Sequence, residues 1–133
     1  MPKIIAIIGT HKRDTEQDFE VVWEEFKRWY DDGDKIVSGG CKQGGDRFAE
    51  IIASRLQMTE ENGQLIIHRP KPVPSDSPHF AYAKANYERN TLVARDADML
   101  IACVSPDRKG GTEDTIHKWL RFNNNNMENV FLV

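Results

Sequence analysis

The clearest indication of the fold is the segment Lys3-Ile-Ile-Ala-Ile-Ile8, which Gly9 and Thr10 follow directly. The segment is short and rich in isoleucine, and its apolar residues do not alternate with polar ones. Such a run is typical of a β-strand that is buried on both faces of a parallel sheet. A strand of this kind needs helices on both sides, so we expect the rest of the chain to alternate strands with helices.

The residues beyond this strand continue that alternation to the end of the chain. A Thr-x-x-acid signal at Thr15 to Asp18 opens a helix that ends near Asp32 and Gly33. Apolar spacing predicts four more strands, at 35–38, 64–68, 99–104 and 130–133. Three more helices are predicted from 46, from about 80 to 96, and after the glycine pair at 110–111. We interpret Trp23, Trp29 and Trp119 as core residues on the inner stripes of their helices.

Strands that alternate with helices imply right-handed crossovers and a sheet covered on both faces. The predicted fold class is α/β, a Rossmann-like three-layer sandwich with a mainly parallel sheet of about five strands. No repeat or linker divides the chain, so residues 1–133 are predicted to form a single domain. In such sheets, ligands bind at the carboxyl ends of the strands, near the point where the strand order reverses.

The composition argues against several classes of protein, namely membrane-spanning, metal-binding and general nucleic-acid-binding proteins. The longest apolar run, at 99–104, has six residues against the roughly 20 that cross a bilayer, so we expect no membrane span and a cytoplasmic protein. The cysteines Cys41 and Cys103 and the four histidines have no zinc-ligand spacing, so we expect reduced thiols, no metal and no cofactor. The net charge of −3 argues against general nucleic-acid binding.

Glycine and small hydroxyl residues follow three of the predicted strands, at 9–13, 38–46 and 105–112. Glycine allows a close approach of the backbone, and the N-terminus of a following helix directs free N–H groups at an anion. Seven cations fall in loops that directly follow predicted strands: Lys12, Arg13, Lys42, Arg69, Lys71, Arg108 and Lys109. The pattern predicts a basic, phosphate-binding edge. Residues 69–79 contain four of the six prolines, and we interpret this segment as a loop or a lid.

Several motifs make a family resemblance visible. They are Ile8-Gly-Thr10, Ile36-Val-Ser-Gly-Gly-Cys-Lys-Gln-Gly-Gly-Asp-Arg-Phe-Ala49, Glu88-Arg-Asn90, Ala97-Asp-Met-Leu-Ile-Ala102 and Gly110-Gly-Thr112. Together they resemble the SLOG superfamily, which includes LOG-type nucleotide phosphoribohydrolases, the DNA-processing protein DprA and small YspA-like single-domain members. The likeness is greatest to the small members and covers nearly the whole chain, with the second-strand loop as its most specific part.

The resemblance implies a pocket for a nucleotide or nucleotide-derived molecule. With the cation and Arg-Asn positions added, the predicted ligand-binding residues are Gly9, Thr10, Arg13, Ser38, Gly39, Gly40, Gly44, Asp46, Arg89, Asn90, Gly110, Gly111 and Thr112. Asp46 has two interpretations, an N-cap or a ligand for a sugar hydroxyl. His11 and Cys41 are expected at the edge of the pocket. Tyr82 and Tyr87 are assigned to helix packing, although either could stack on a base.

Three functions remain open from the sequence. The first is a domain that binds or senses a nucleotide-derived ligand. The second is a nucleoside 5′-monophosphate N-glycosidase, with Arg89 as phosphate clamp. In that case Glu113 or Asp114 supplies the carboxylate, because Thr115 stands where LOG enzymes have their catalytic glutamate. The third is DprA-like binding of single-stranded DNA, which the charge disfavours. The resemblance also leaves a homodimer open.

Overall fold

The structure is a computed structural model that describes residues 2–133. Its strands are β1 (Ile4–Gly9), β2 (Lys35–Ser38), β3 (Leu65–Ile67), β4 (Met99–Cys103) and β5 (Val130–Leu132). Its helices are α1 (Glu16–Trp29), α2 (Gly45–Arg55), α3 (His79–Asp96) and α4 (Gly111–Phe122). The predicted alternation is confirmed. The end of α1 differs from the prediction, because Tyr30 adopts an extended backbone (φ −74°, ψ 130°) and stops the helix at Trp29.

The five strands form one sheet in the order β3-β2-β1-β4-β5, and every neighbouring pair is parallel. Helices α1 and α2 pack on one face of the sheet, and α3 and α4 pack on the other. The α/β, Rossmann-like sandwich predicted from the sequence is therefore confirmed. From β1 the chain moves outward to β2 and β3, then returns to β4 on the other side of β1. The switch point of the strand order thus lies between β1 and β4.

The position of β1 in the centre of the sheet explains why apolar and polar residues do not alternate along this strand. Ile5 and Ile7 belong to the core beneath α1 and α2, whereas Ala6 and Ile8 belong to the core beneath α3 and α4. Each of these four side chains is at most 4% exposed. Both faces of the central strand are therefore apolar, as a sheet with helices on each side requires.

The three tryptophans differ in burial. Trp119 is 2% exposed, and its Nε1 donates a hydrogen bond to the Ala97 carbonyl oxygen at 2.9 Å. Trp23 is half-buried against the core. Trp29 is 37% exposed and stacks on Phe131 with 4.6 Å between the ring centroids. The prediction of a core residue was therefore wrong for Trp29, because α1 ends there and the ring packs on a residue of the edge strand β5 instead.

Helix α3 is the longest helix, and its apolar residues are divided between the core and the surface. Its buried apolar residues are Ala85, Val93 and Ala94, all without long side chains, while Phe80 near its start is 72% exposed. The preceding segment, 69–78, contains neither helix nor strand, as its prolines predicted. Its role as a lid stays a prediction. None of the helices in residues 2–133, α3 included, has the length and apolar content to cross a membrane.

A partly buried ion pair between Lys3 and Asp34 ties the start of β1 to the start of β2. The Asp34 carboxylate is 2% exposed, receives the Lys3 ammonium at 2.5 Å, and also accepts the backbone N–H groups of Lys3 and Asp31. Burial alone raises the pKa of Asp34, but these bonds outweigh it and hold the pKa below its usual value. Asp34 therefore stabilises the fold above the unfolded pKa of about 3.9, and this contribution is lost as the pH falls through the folded pKa.

Asp34→Asn is accordingly expected to lower the free energy of unfolding at pH 7 by about 2 kcal/mol, a typical value for hydrogen bonds to a charged group. Urea unfolding at pH 7 and at pH 3 measures the effect. The difference between wild type and variant should shrink at pH 3, which lies below the pKa of the carboxyl group in the unfolded chain. An equal difference at both pH values would contradict a stabilising role for the Asp34 charge.

Candidate functional site

A pocket of about 530 Å³ lies at the carboxyl ends of β1 and β4, at the switch point of the sheet. Its walls are the loop after β1, the loop before α4, Gly39 and Asp46 from the region after β2, and the face of α3 from His79 to Val93. Nine of the predicted ligand-binding residues line it: Gly9, Thr10, Gly39, Asp46, Arg89, Asn90, Gly110, Gly111 and Thr112. The structure thus brings parts of all three predicted loops together around one space.

Four predicted residues lie outside this lining, namely Arg13, Ser38, Gly40 and Gly44. Gly44 has a φ of +70°, and a Cβ there would lie 2.5 Å from the Thr10 carbonyl oxygen. Gly40 has a φ of +76°, and its Cβ would lie 2.9 Å from Ile67 Cγ2. Both glycines are therefore required by the conformation and packing of the loop. Ser38 is fully buried, and its Oγ has no hydrogen-bond partner within residues 2–133.

Arg13 is engaged elsewhere than in the pocket. Its Nε donates to Asp18 Oδ1 at 3.0 Å, and its Nη1 donates to the carbonyl oxygens of Val104 and Val133. Asp18 also forms a reciprocal capping box with Thr15 at the start of α1. The guanidinium therefore joins α1 to the ends of β4 and β5. No local pattern around Arg13 indicated these partners.

Asp46 holds the loop after β2 in place. Its Oδ1 accepts the Gly39 N–H at 3.3 Å, and its Oδ2 accepts the Cys41 N–H at 3.1 Å. The N-cap of α2 is Gly44, so the N-cap interpretation of Asp46 was wrong. Asp46 lies in the first turn instead, where a carboxylate is favoured by the helix dipole. Within residues 2–133 it is the one acidic residue that lines the pocket.

Arg89 and Asn90 connect the loop after β2 with the start of α4. Arg89 Nη1 donates to the Gly39 carbonyl oxygen, and its Nε donates to Asn90 Oδ1 at 2.9 Å. Asn90 Nδ2 donates to the Gly111 carbonyl oxygen at 3.3 Å and to Asp114 Oδ2 at 3.2 Å. The Arg89 side chain is 13% exposed, and no described residue accepts a hydrogen bond from its Nη2. That N–H pair is free to meet a ligand.

The two acidic residues proposed for catalysis, Glu113 and Asp114, lie outside the pocket lining. Glu113 is 7% exposed and accepts two hydrogen bonds from Arg108, at 2.7 and 2.9 Å. This bidentate contact raises the pKa of Arg108 above its usual value. Asp114 Oδ2 accepts from Lys118 Nζ at 2.8 Å as well as from Asn90. Both carboxylates are thus engaged by cations of the protein itself.

The N-terminus of α4 opens into the pocket. Its N-cap, Gly110, has a φ of +110°, which an L-residue rarely adopts, and Gly111 and Thr112 line the pocket beside it. The first backbone N–H groups of a helix have no partner inside the helix and attract an anion.

Two lysines, Lys12 and Lys109, line the same pocket in addition to Arg89. Lys12 Nζ contacts Asp107 Oδ2 at 3.2 Å in an exposed ion pair. The Ser105 hydroxyl and then Lys12 hold the pKa of Asp107 below its usual value. The pair is solvent-exposed and therefore weak, so an anion in the pocket can compete for the Lys12 ammonium.

Two tyrosines of α3 line the pocket. Tyr82 and Tyr87 are 39% and 48% exposed, so neither ring is buried by helix packing as expected. The Tyr87 ring also contacts α4, where Lys118 Nζ lies 5.5 Å from the ring centroid. Tyr82 Oη also donates to the Pro74 carbonyl oxygen at 3.1 Å, which ties the proline-rich segment to α3. The two tyrosines are five residues apart, whereas residues on one buried face of a helix are three, four or seven apart. This spacing could have indicated from the sequence that the two rings do not share a buried face. His11 does lie at the pocket edge as predicted.

Comparisons of this chain with protein-family models, with curated proteins and with solved structures found no match. The resemblance to the SLOG superfamily therefore stays a prediction. Within residues 2–133, no group of three or more histidine, cysteine or acidic side chains is placed to hold a metal ion. The fold and the pocket together define a Rossmann-like α/β protein with a cavity at its switch point, lined by charged, aromatic and apolar side chains.

Proposed function

We propose that this protein binds or senses a nucleotide or a nucleotide-derived molecule in the pocket at the switch point. The observation behind the proposal is the combination of groups in the pocket. The pocket is lined by the N-terminus of α4, by the Arg89 guanidinium with its free N–H pair, by the exposed rings of two tyrosines, and by one carboxylate, that of Asp46. These groups are suitable partners for a phosphate, a base and a sugar.

The phosphate is expected at the start of α4. Gly111 and Thr112 begin this helix and line the pocket, and the helix dipole favours negative charge there. Lys12 and Lys109 add positive charge to the same pocket. The protein has a net charge of −3, so these cations form a local attraction within an acidic molecule.

The base is expected against Tyr82 or Tyr87 on α3. An exposed aromatic ring offers stacking on any base, with about 1–3 kcal/mol per base in nucleic-acid complexes. Asp46 is expected to accept a hydrogen bond from a hydroxyl group of the sugar. Each of its oxygens accepts one backbone N–H and retains a lone pair for a hydroxyl donor.

The N-glycosidase alternative has weaker support. Glu113 and Asp114 are bound by Arg108 and Lys118, and neither lines the pocket. A hydrolytic reaction at this site would therefore depend on Asp46, whose Oδ2 lies 4.0 Å from Arg89 Nη1. Binding of single-stranded DNA has no support beyond the resemblance, since the charge balance disfavours it. A homodimer and a cytoplasmic location stay predictions.

The test is to incubate the full chain with nucleoside monophosphates, nucleoside diphosphates and ADP-ribose, and then to chromatograph the protein-bound and free fractions. We expect intact nucleotide in the bound fraction and no free base. Free base that appears with wild type and disappears with Arg89→Ala would identify a glycosidase instead. Absence of any retained compound and of any free base would contradict both functions.

A further inference from the structure

A histidine that lines the pocket, His11, contacts a cysteine from a different loop, Cys41, which was expected at the pocket edge but lies outside the lining. Cys41 Sγ lies 2.9 Å from His11 Nε2, although the residues are 30 positions apart in the chain. His11 follows β1 and Cys41 follows β2, and these strands are neighbours in the sheet. The fold therefore pairs a thiol with an imidazole, the combination that activates sulfur nucleophiles in proteins.

The pair is open to reagents. His11 is exposed and Cys41 is half-buried. The Cys41 backbone N–H donates to Asp46 at 3.1 Å, so the loop holds the position of the thiol. Lys42 next to it is exposed, so solvent screens its charge from the thiol.

The second cysteine provides an internal contrast. Cys103 belongs to the hydrophobic core, is fully buried, and has no exposed surface for a reagent. Burial raises the pKa of its thiol to about 11. Two thiols of one molecule thus differ both in access and in the presence of a base.

We propose that Cys41 is a site of thiol–disulfide exchange with small disulfides, and that His11 is its general base. The thiol proton moves to His11 Nε2 while Cys41 Sγ forms a bond to one sulfur of the disulfide. The old sulfur–sulfur bond breaks, and the leaving thiolate takes the proton from His11. Cys41 is oxidised, the leaving sulfur is reduced, and no further oxidant is needed. The proposal is independent of what the pocket binds.

The experiment treats the reduced full chain with 2-hydroxyethyl disulfide at neutral pH and follows each cysteine by peptide mass mapping. This reagent is neutral, so charge attraction does not enter the rate. We expect a mixed disulfide on Cys41 and none on Cys103 while the protein is folded. Cys41 should also react about tenfold faster than a free cysteine derivative, because a positioned base assists proton transfer. Labelling of Cys103 at the rate of Cys41, or a Cys41 rate at or below that of the free thiol, would overturn the proposal.

His11→Gln and Lys42→Ala separate the base from the neighbouring charge. The glutamine keeps a polar side chain but accepts no proton, so we expect the Cys41 rate to fall about tenfold. Lys42→Ala should change the rate by less than about twofold, because the reagent is uncharged. An unchanged rate in His11→Gln, or an equal fall in both variants, would contradict the role of His11. Cys103 reports folding in every variant, since it becomes labelled only when the core opens.

Discussion

Gly45→Ala is expected to lower the free energy of unfolding by about 3 kcal/mol or more, because the added methyl group overlaps the main chain of β1. A Cβ at Gly45 would lie 2.1 Å from the Ile8 carbonyl carbon and 2.2 Å from the Gly9 nitrogen. Both atoms belong to the backbone, so no side-chain rotation relieves the overlap. The first turn of α2 would have to leave the end of β1, and the loop that carries Gly39 would move with it.

Gly111→Ala is the matched control. Gly111 is the first residue of α4, and a Cβ there would lie no closer than 3.7 Å, to Asn90 Nδ2. We expect this substitution to change the free energy of unfolding by less than about 1 kcal/mol, because alanine is accepted in a helix and no overlap results. Urea unfolding of both variants measures the difference. Equal stability of the two would contradict the close packing of α2 on β1.

Arg89→Ala is expected to weaken nucleotide binding about 100-fold. A hydrogen bond to a charged group contributes about 1.5–3 kcal/mol, and every 1.4 kcal/mol corresponds to a tenfold change in the dissociation constant. The guanidinium also donates hydrogen bonds to the Gly39 carbonyl oxygen and to Asn90 Oδ1. Its loss therefore also removes contacts that hold the loop after β2 and the Asn90 side chain in position. Isothermal titration calorimetry with a nucleoside monophosphate measures the change.

Arg95→Ala is the control on the same helix. Arg95 is exposed in the last turn of α3 and does not line the pocket, so its removal should leave the affinity within about twofold. Arg89→Lys keeps the charge but lacks the planar fork, and an intermediate loss is expected. If both variants are folded and bind the nucleotide with equal affinity, Arg89 does not contribute to ligand binding.

The sheet and its helices could be predicted because apolar spacing is a local signal. The unbroken isoleucines of β1 indicate burial on two faces, and the capping signal at Thr15 and Asp18 opens α1 as predicted. The position of the pocket followed from topology, since the glycine loops after β1, β2 and β4 all lie at one edge of a parallel sheet.

The partners of individual charges could not be predicted in the same way. Arg13 lies in a predicted ligand loop yet donates to Val133, which is 120 positions away. Glu113 follows the glycine pair of α4 yet its carboxylate is bound by Arg108. A charged side chain at a strand end therefore marks a functional edge, but only the packed structure decides whether its charge faces the ligand.

Recognition of a nucleotide's phosphate by the pocket can be measured by calorimetry. The full chain is titrated with a nucleoside monophosphate and, separately, with the same nucleoside lacking phosphate. We expect binding of the monophosphate and at least tenfold weaker binding of the nucleoside, because the start of α4 and the cations beside it attract an anion that the nucleoside does not offer. Equal affinities for the two compounds, or no binding of any monophosphate tried, would contradict a phosphate site at the start of α4.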